Sequence, residues 1–182
     1  HLNIFLTSAI VFLFEATAIE VDRYVVGRVL TALVSSGGAL FAYFFLRRFD
    51  RTAAFAGFSF LTFSPLLIQQ SHYVTTDAWL ATAFIAWIYL SGLVLANISP
   101  RLSSSLLGAV AALSIAIKFP GAVLTPLGAV ILWLSSSGSQ LRALLVRYSI
   151  SFAVFFLVFG FFVILNLTEV LASLTRETRD TH

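Results

Sequence analysis

From Tyr24 to Leu46 the chain runs for 23 residues with a single charged side chain, Arg28, and from Ala78 to Ala96 it runs for 19 residues with none. A bilayer's hydrocarbon core is about 30 Å thick and takes roughly 20 apolar residues to cross as a helix. Inside it every unpaired backbone amide costs several kcal/mol, so a spanning segment must be a helix or part of a closed barrel. The runs lack the apolar and polar alternation of barrel strands. The expected fold class is therefore all-α, a polytopic transmembrane helix bundle. Composition agrees, with 59% hydrophobic and 10% charged residues and a mean hydropathy of +0.98. Soluble domains use about 25% charged residues. The net charge of +3 does not point to nucleic acid, because the basic residues are scattered at the ends of apolar runs and form no patch. Their distribution reports orientation in the membrane. Without cysteine there is no disulfide and no thiol chemistry. The chain has no methionine and opens inside an apolar run, as expected of an internal piece of a longer protein.

Taken in order, Leu2 to Phe14 is too short to span and reads as an interfacial helix, with Glu15, Glu20, Asp22 and Arg23 as its connector (1–20 together). About six membrane helices are expected over 21–167, as one transmembrane domain. Tyr24 to Leu46 crosses inward and ends at Arg47, Arg48, Asp50 and Arg51. Ala53 to Ile68 returns, with Pro65 near its end. Ala78 to Ala96 crosses to a turn containing Asn97, Pro100 and Arg101. Leu106 to Ile117 and Ala122 to Leu134 form a hairpin about the breaker Lys118-Phe119-Pro120-Gly121. Both arms are short, so an indentation of the outer surface is expected there. A Ser/Gly linker at 135–139 leads past Arg142 and Arg147 to a last span, Tyr148 to Leu167, and 168–182 is an external tail. On this path Arg47, Arg48, Arg51, Arg101, Arg142 and Arg147 fall on one side, the cytoplasmic one by the positive-inside rule, and every acid except Asp50 falls on the other. Tyr24, Tyr73 and Trp79 are placed in an outer aromatic belt, and Tyr43, Trp133 and Tyr148 in an inner one. Gly108, Ala112 and Ala116, four residues apart, form a ridge on which a neighbouring helix can pack closely.

The chemistry concentrates in the external loop Gln69–Asp77, QQSHYVTTD. Asp77 opens an apolar helix, and two readings stand side by side. It is either a first-turn carboxylate meeting free amides and the helix dipole, or a ligand for Mg²⁺ or Mn²⁺ or for a substrate hydroxyl. His72 is either an interfacial histidine facing water or a second ligand and donor, with Tyr73 beside it. Lys118, in an apolar setting, either snorkels or contacts phosphate. Arg28, one turn into its helix on the same side, has the same two readings.

Four segments follow each other in a recognisable order: Tyr24-Val-Val-Gly-Arg28-Val-Leu-Thr-Ala-Leu with Phe44-Phe-Leu-Arg-Arg48, then Ser64-Pro65, then Ser71-His72-Tyr73-Val74-Thr75-Thr76-Asp77, then Leu113-Ser-Ile-Ala-Ile-Lys118-Phe-Pro-Gly121. The set resembles the multi-spanning glycosyltransferases of the type C fold, in particular protein O-mannosyltransferases and the lipid A aminoarabinose transferase, from about Asp22 to Leu134. The resemblance implies an integral protein, in a prokaryotic plasma membrane, that moves a sugar from a polyprenyl-phosphate carrier to an acceptor on the extracytoplasmic face. It implies that Asp77 helps bind metal or substrate, that Lys118 meets the carrier phosphate, and that Arg28 opens the helix after the first external loop in the same binding region; His72 and Tyr73 join them as substrate or carrier-phosphate candidates from the loop itself. The family's general base lies in an acidic loop upstream of the part matched here, and Glu15, Glu20 and Asp22 do not fit its motif. No catalytic residue is assigned within the chain, which is expected to be inactive alone. The alternative is a non-catalytic membrane subunit that keeps the fold as a scaffold for other subunits. A transporter or channel fits less well, since the charges are peripheral.

Overall fold

A computed structural model of the chain describes residues 2–15, 22–65, 68–69 and 75–160. Seven α-helices are defined within them: α1 (Leu2–Glu15), α2 (Arg23–Leu46), α3 (Arg51–Phe63), α4 (Thr76–Leu95), α5 (Pro100–Ile117), α6 (Leu124–Ser135) and α7 (Gly138–Phe159), with a 3₁₀ turn at Phe119–Val123 between α5 and α6. No strand occurs among the described residues. The described residues are thus all-helical apart from turns, and four helices, α2, α4, α5 and α7, are long and apolar enough to cross a membrane, as in an integral membrane protein.

Helix starts follow local chemistry. Asp22 caps α2 by accepting from the Tyr24 amide at 2.8 Å, and Asp50 caps α3 by accepting from the Ala53 amide at 2.7 Å. The α3 helix stops at Phe63, and Ser64 is extended, as the residue before Pro65 prefers. At 13 residues α3 is shorter than the span expected from Ala53 to Ile68. Between α4 and α5 the chain turns through left-handed Asn97 (φ 54°). There the Ile98 amide donates to the Leu93 carbonyl at 2.9 Å and the Asn97 amide to the Val94 carbonyl at 3.0 Å, the paired bonds of a Schellman ending. Asn97→Gly removes the Cβ strain of that conformation and is expected to raise unfolding stability by up to about 1 kcal/mol, read by thermal melting in detergent.

Two expectations about helix length need correction. The α5 helix begins at Pro100, its first position, so Arg101 lies in its first turn and the helix reaches 18 residues. Ser103, Ser104 and Ser105, which lie before the expected start at Leu106, return their hydroxyls to the carbonyls of Ile98 and Arg101 and so leave no unpaired hydroxyls along that turn. The last helix, expected to start at Tyr148, begins as α7 at Gly138, inside the stretch expected as a linker, so Arg142 and Arg147 are helical. Only α6, of 12 residues, remains the short arm of the hairpin.

Direction follows from the pairings. Trp79 Nε1 donates to Thr31 Oγ1 at 3.1 Å and Thr82 Oγ1 to the Val34 carbonyl at 3.2 Å, so α2 and α4 run parallel in register. The tight α4–α5 turn makes α5 antiparallel to both. Helices α4 and α5 form the middle of the bundle, whereas α2 and α7 leave most of their apolar side chains at least partly exposed, as lipid-facing helices do. One core cluster joins Trp87, Leu90 and Val94 of α4, Leu107 and Ala111 of α5, Leu124 and Leu132 of α6, and Leu144 and Tyr148 of α7. A second gathers Trp79, Ala116 and Ile117, with Leu6 of α1 and Leu30 and Val34 of α2 against them.

The aromatic belts are only partly as expected. Tyr24 and Trp133 are exposed, but Trp79 and Tyr148 are buried, 6% and 4% exposed. Both have inward tasks: Trp79 bonds Thr31, and the Tyr148 hydroxyl donates to the Thr125 carbonyl at 2.9 Å. A buried ring with a polar tip needs a partner, and a neighbouring helix supplies it in each case.

Candidate functional site

The two most informative charges of the sequence meet. Lys118 Nζ donates to Asp77 Oδ1 at 2.8 Å, across 41 positions of chain. Asp77 is the second residue of α4, and Lys118 is the extended residue that ends α5. The pair therefore joins the start of one central helix to the end of the other, at the end of the bundle opposite Arg47, Arg48 and Arg51. Both side chains are half open, Lys118 42% and Asp77 52% exposed.

The local fold explains why Lys118 points there. After Ile117 the backbone swings out to φ −159°, while the Lys118 amide still donates to the Ser114 carbonyl at 3.0 Å. The Gly121 amide then donates to the Lys118 carbonyl at 2.9 Å, folding the 3₁₀ turn back onto the last turn of α5. Any Cβ at Gly121 would run into the Ser114 backbone, so this tight return needs glycine. The breaker Lys118-Phe119-Pro120-Gly121 is thus a rigid bracket that presents the ammonium.

The Asp77 carboxylate is turned toward the ammonium instead of toward the amides of its own first turn, although its charge still favours the positive end of α4. The residue before the helix, Thr75, makes no side-chain cap bond. With Oδ1 taken up by Lys118, Asp77 would offer a cation mainly its other oxygen. No group of three or more His, Cys, Asp or Glu side chains that could hold a metal occurs among the described residues. His72 and Tyr73 lie outside them.

Arg28 sits at the same end of the bundle, because the α2–α4 register that sets Thr31 beside Trp79 places it level with the start of α4. Its guanidinium lies over the Tyr24 ring, 4.2 Å from the centroid, and is exposed. The structure thus brings Asp77 and Lys118 together, and among the described residues no ion pair joins Arg28, on the neighbouring helix, to either of them.

One feature of the region escaped sequence reading. An apolar cleft of about 290 Å³ lies between α2, α3 and α4, lined among others by Ala32, Gly38, Phe58, Leu61, Ala78 and Thr82. Its α4 wall starts with Ala78, the residue after Asp77. Small residues at Ala32, Gly38, Ala78 and Ala81 open it, a signal present in the sequence but diluted by the many other small residues of the spans. No family model, no curated protein and no solved structure matches this chain.

Proposed function

We propose that this chain is the membrane part of a glycosyltransferase-like protein that handles a sugar carried on a polyprenyl phosphate, with Lys118 and Asp77 at the headgroup. The observation that carries the reading is the 2.8 Å contact between them at one end of a bundle of apolar helices. An ammonium held at that level is suited to a carrier phosphate. A carboxylate beside it can receive a sugar hydroxyl, or a divalent ion that accompanies the phosphate. The apolar cleft that begins at Ala78 offers an adjacent place for the first prenyl units. Arginine excess at the other end orients the pair to the extracytoplasmic face. Arg28 would add a second phosphate donor only after leaving the Tyr24 ring. The sequence resemblance to type C fold transferases supplies the reaction class.

A second reading rests on the same contact. An ammonium already bonded to a carboxylate is also a tie between α4 and α5, as a non-catalytic scaffold subunit would keep it. Equilibrium binding of a short polyprenyl phosphate to the full-length protein in detergent separates the two. Lys118→Gln is expected to weaken binding about tenfold, the size of one lost charge-assisted hydrogen bond. Unchanged binding would remove Lys118 from the headgroup and leave the tie.

A further inference from the structure

The opposite end of the bundle carries a second basic site that the proposed transfer does not use. A groove of about 1040 Å³ lies between α5 and α7, lined among others by Ser105, Ser139, Arg142, Arg147 and Ser151. A smaller hollow of about 500 Å³ adjoins it and contains Asn97, Arg101 and Gln140. The two share Ser139 and Ala143 as walls, so they adjoin and make a two-part depression with three guanidinium groups around it. Arg142 and Arg147 are exposed, and none of the three arginines has a carboxylate partner among the described residues.

Uncompensated arginines on membrane helices call for anions. Arg147 lies nine residues into α7, about 13 Å along its axis from Gly138. A guanidinium that close to the apolar part of a membrane helix is costly unless it snorkels or is paired. Arginine is also the side chain whose planar fork matches phosphate with two parallel hydrogen bonds. The lower wall of the groove is apolar and continues down the helix. Val146, Ile150, Val154 and Leu157 are all exposed and, at spacings of four, four and three, share one face of α7. They extend about 16 Å, close to the depth of one hydrocarbon leaflet, away from the arginines. A cationic mouth with an apolar track beneath it has the form of a phospholipid, head and chain. Free phosphate would use only the mouth.

We propose that this depression binds one anionic phospholipid of the diphosphatidylglycerol (cardiolipin) type, with one phosphate in each hollow and an acyl chain along Val146 to Leu157. Basic depressions between membrane helices on the cytoplasmic side are the recognised chemistry for such headgroups. The occupant is a component of the bilayer, and the site is independent of the Asp77–Lys118 pair.

The test uses the full-length protein, delipidated in detergent and titrated with single lipids under native mass spectrometry. One tightly retained cardiolipin is expected, while phosphatidylglycerol at equal phosphate and phosphatidylcholine bind more weakly. The triple variant Arg101→Gln, Arg142→Gln, Arg147→Gln is expected to lower cardiolipin affinity about a hundredfold. The matched triple Arg47→Gln, Arg48→Gln, Arg51→Gln removes the same charge from the same end and is expected to change it less than about threefold, since screened charges remote from the groove contribute little. Equal losses in the two triples would reduce the effect to overall charge and overturn the site. Equal affinity for phosphatidylglycerol would overturn the two-phosphate assignment, and displacement by glycerol 3-phosphate would overturn the lipid assignment. In the wild-type protein, cardiolipin with a diazirine in its acyl chain is expected to label the peptide containing Ile150 and Val154. Label confined to other helices would overturn the proposal without any dependence on a variant's folding.

Discussion

Replacing Gly108 with alanine is expected to destabilise the protein by about 1–3 kcal/mol, and replacing it with leucine to part α5 from α7 altogether. A Cβ built at Gly108 lands on the Tyr148 carbonyl oxygen and comes within 3.1 Å of its carbon and 3.2 Å of the Phe152 amide nitrogen. These are backbone atoms inside a helix, so they have no rotamer to change and the two helices must separate. Separation breaks the core cluster where Leu107 and Ala111 meet Leu144 and Tyr148. In lipid there is no hydrophobic gain to bring the helices back, because the tails are as apolar as the side chains, and close packing is what holds them. Alanine's better helix propensity, worth up to about 1 kcal/mol, works against the loss and does not cancel it. Gly37→Ala is the control, since a Cβ there meets nothing within 4 Å and only the propensity gain remains. Reversible unfolding in mixed micelles reads both variants. If Gly108→Ala proves as harmless as Gly37→Ala, the close α5–α7 approach is not what stabilises this bundle.

The same glycine shows how far the sequence could be read. The ridge of Gly108, Ala112 and Ala116 was legible because small residues at four-residue spacing fall on one helix face. It does not serve one partner, however: Gly108 faces α7, and Ala116 packs with Trp79 of α4. The ends of α2 and α4 were legible to within two residues, because a charge or a polar loop closes each apolar run. Spans determined which loops share an end of the bundle, and so the placing of Asp77 and Lys118 at one end followed from counting crossings, whereas their 2.8 Å contact did not. Azimuth was not legible. Core-facing and lipid-facing positions use the same apolar residues, so nothing in the local sequence of Trp79 or Tyr148 separates a belt aromatic from a buried one. The early starts of α5 and α7 were hidden for a different reason. Serine and arginine mark loops in water, whereas here Ser104 and Ser105 bond back to Arg101 of their own helix, Ser103 bonds to Ile98 just before it, and arginines lie at the bundle's charged end. The cleft under Asp77 and the three-arginine depression both depend on azimuth, which is why neither could be drawn from the chain alone.

Asp77→Asn in the full-length protein is expected to lower sugar transfer from a polyprenyl-phosphate donor about a hundredfold while leaving stability nearly unchanged, and a charge swap decides what the loss means. Both members of the pair are about half exposed, and exposed ion pairs are worth at most about 1 kcal/mol, so a tie of this kind contributes little to folding. If the pair were only a tie, exchanging its charges in the double variant Asp77→Lys, Lys118→Asp should restore whatever the single changes disturb. The ammonium would then stand in the first turn of α4, where the helix dipole opposes it by roughly 0.3–1 kcal/mol, a small correction. If the pair is a headgroup site, the swap restores the helix contact and fails to restore transfer. A phosphate and a sugar hydroxyl approach from fixed directions, and the bracket at Gly121 holds position 118 at one of them. The double variant is therefore expected to melt within about 1 kcal/mol of the wild type and to remain about a hundredfold slower, as Asp77→Asn does. Recovery of transfer in the swapped protein would assign Asp77 and Lys118 to holding α4 against α5, and the headgroup would have to be sought elsewhere at that end of the bundle.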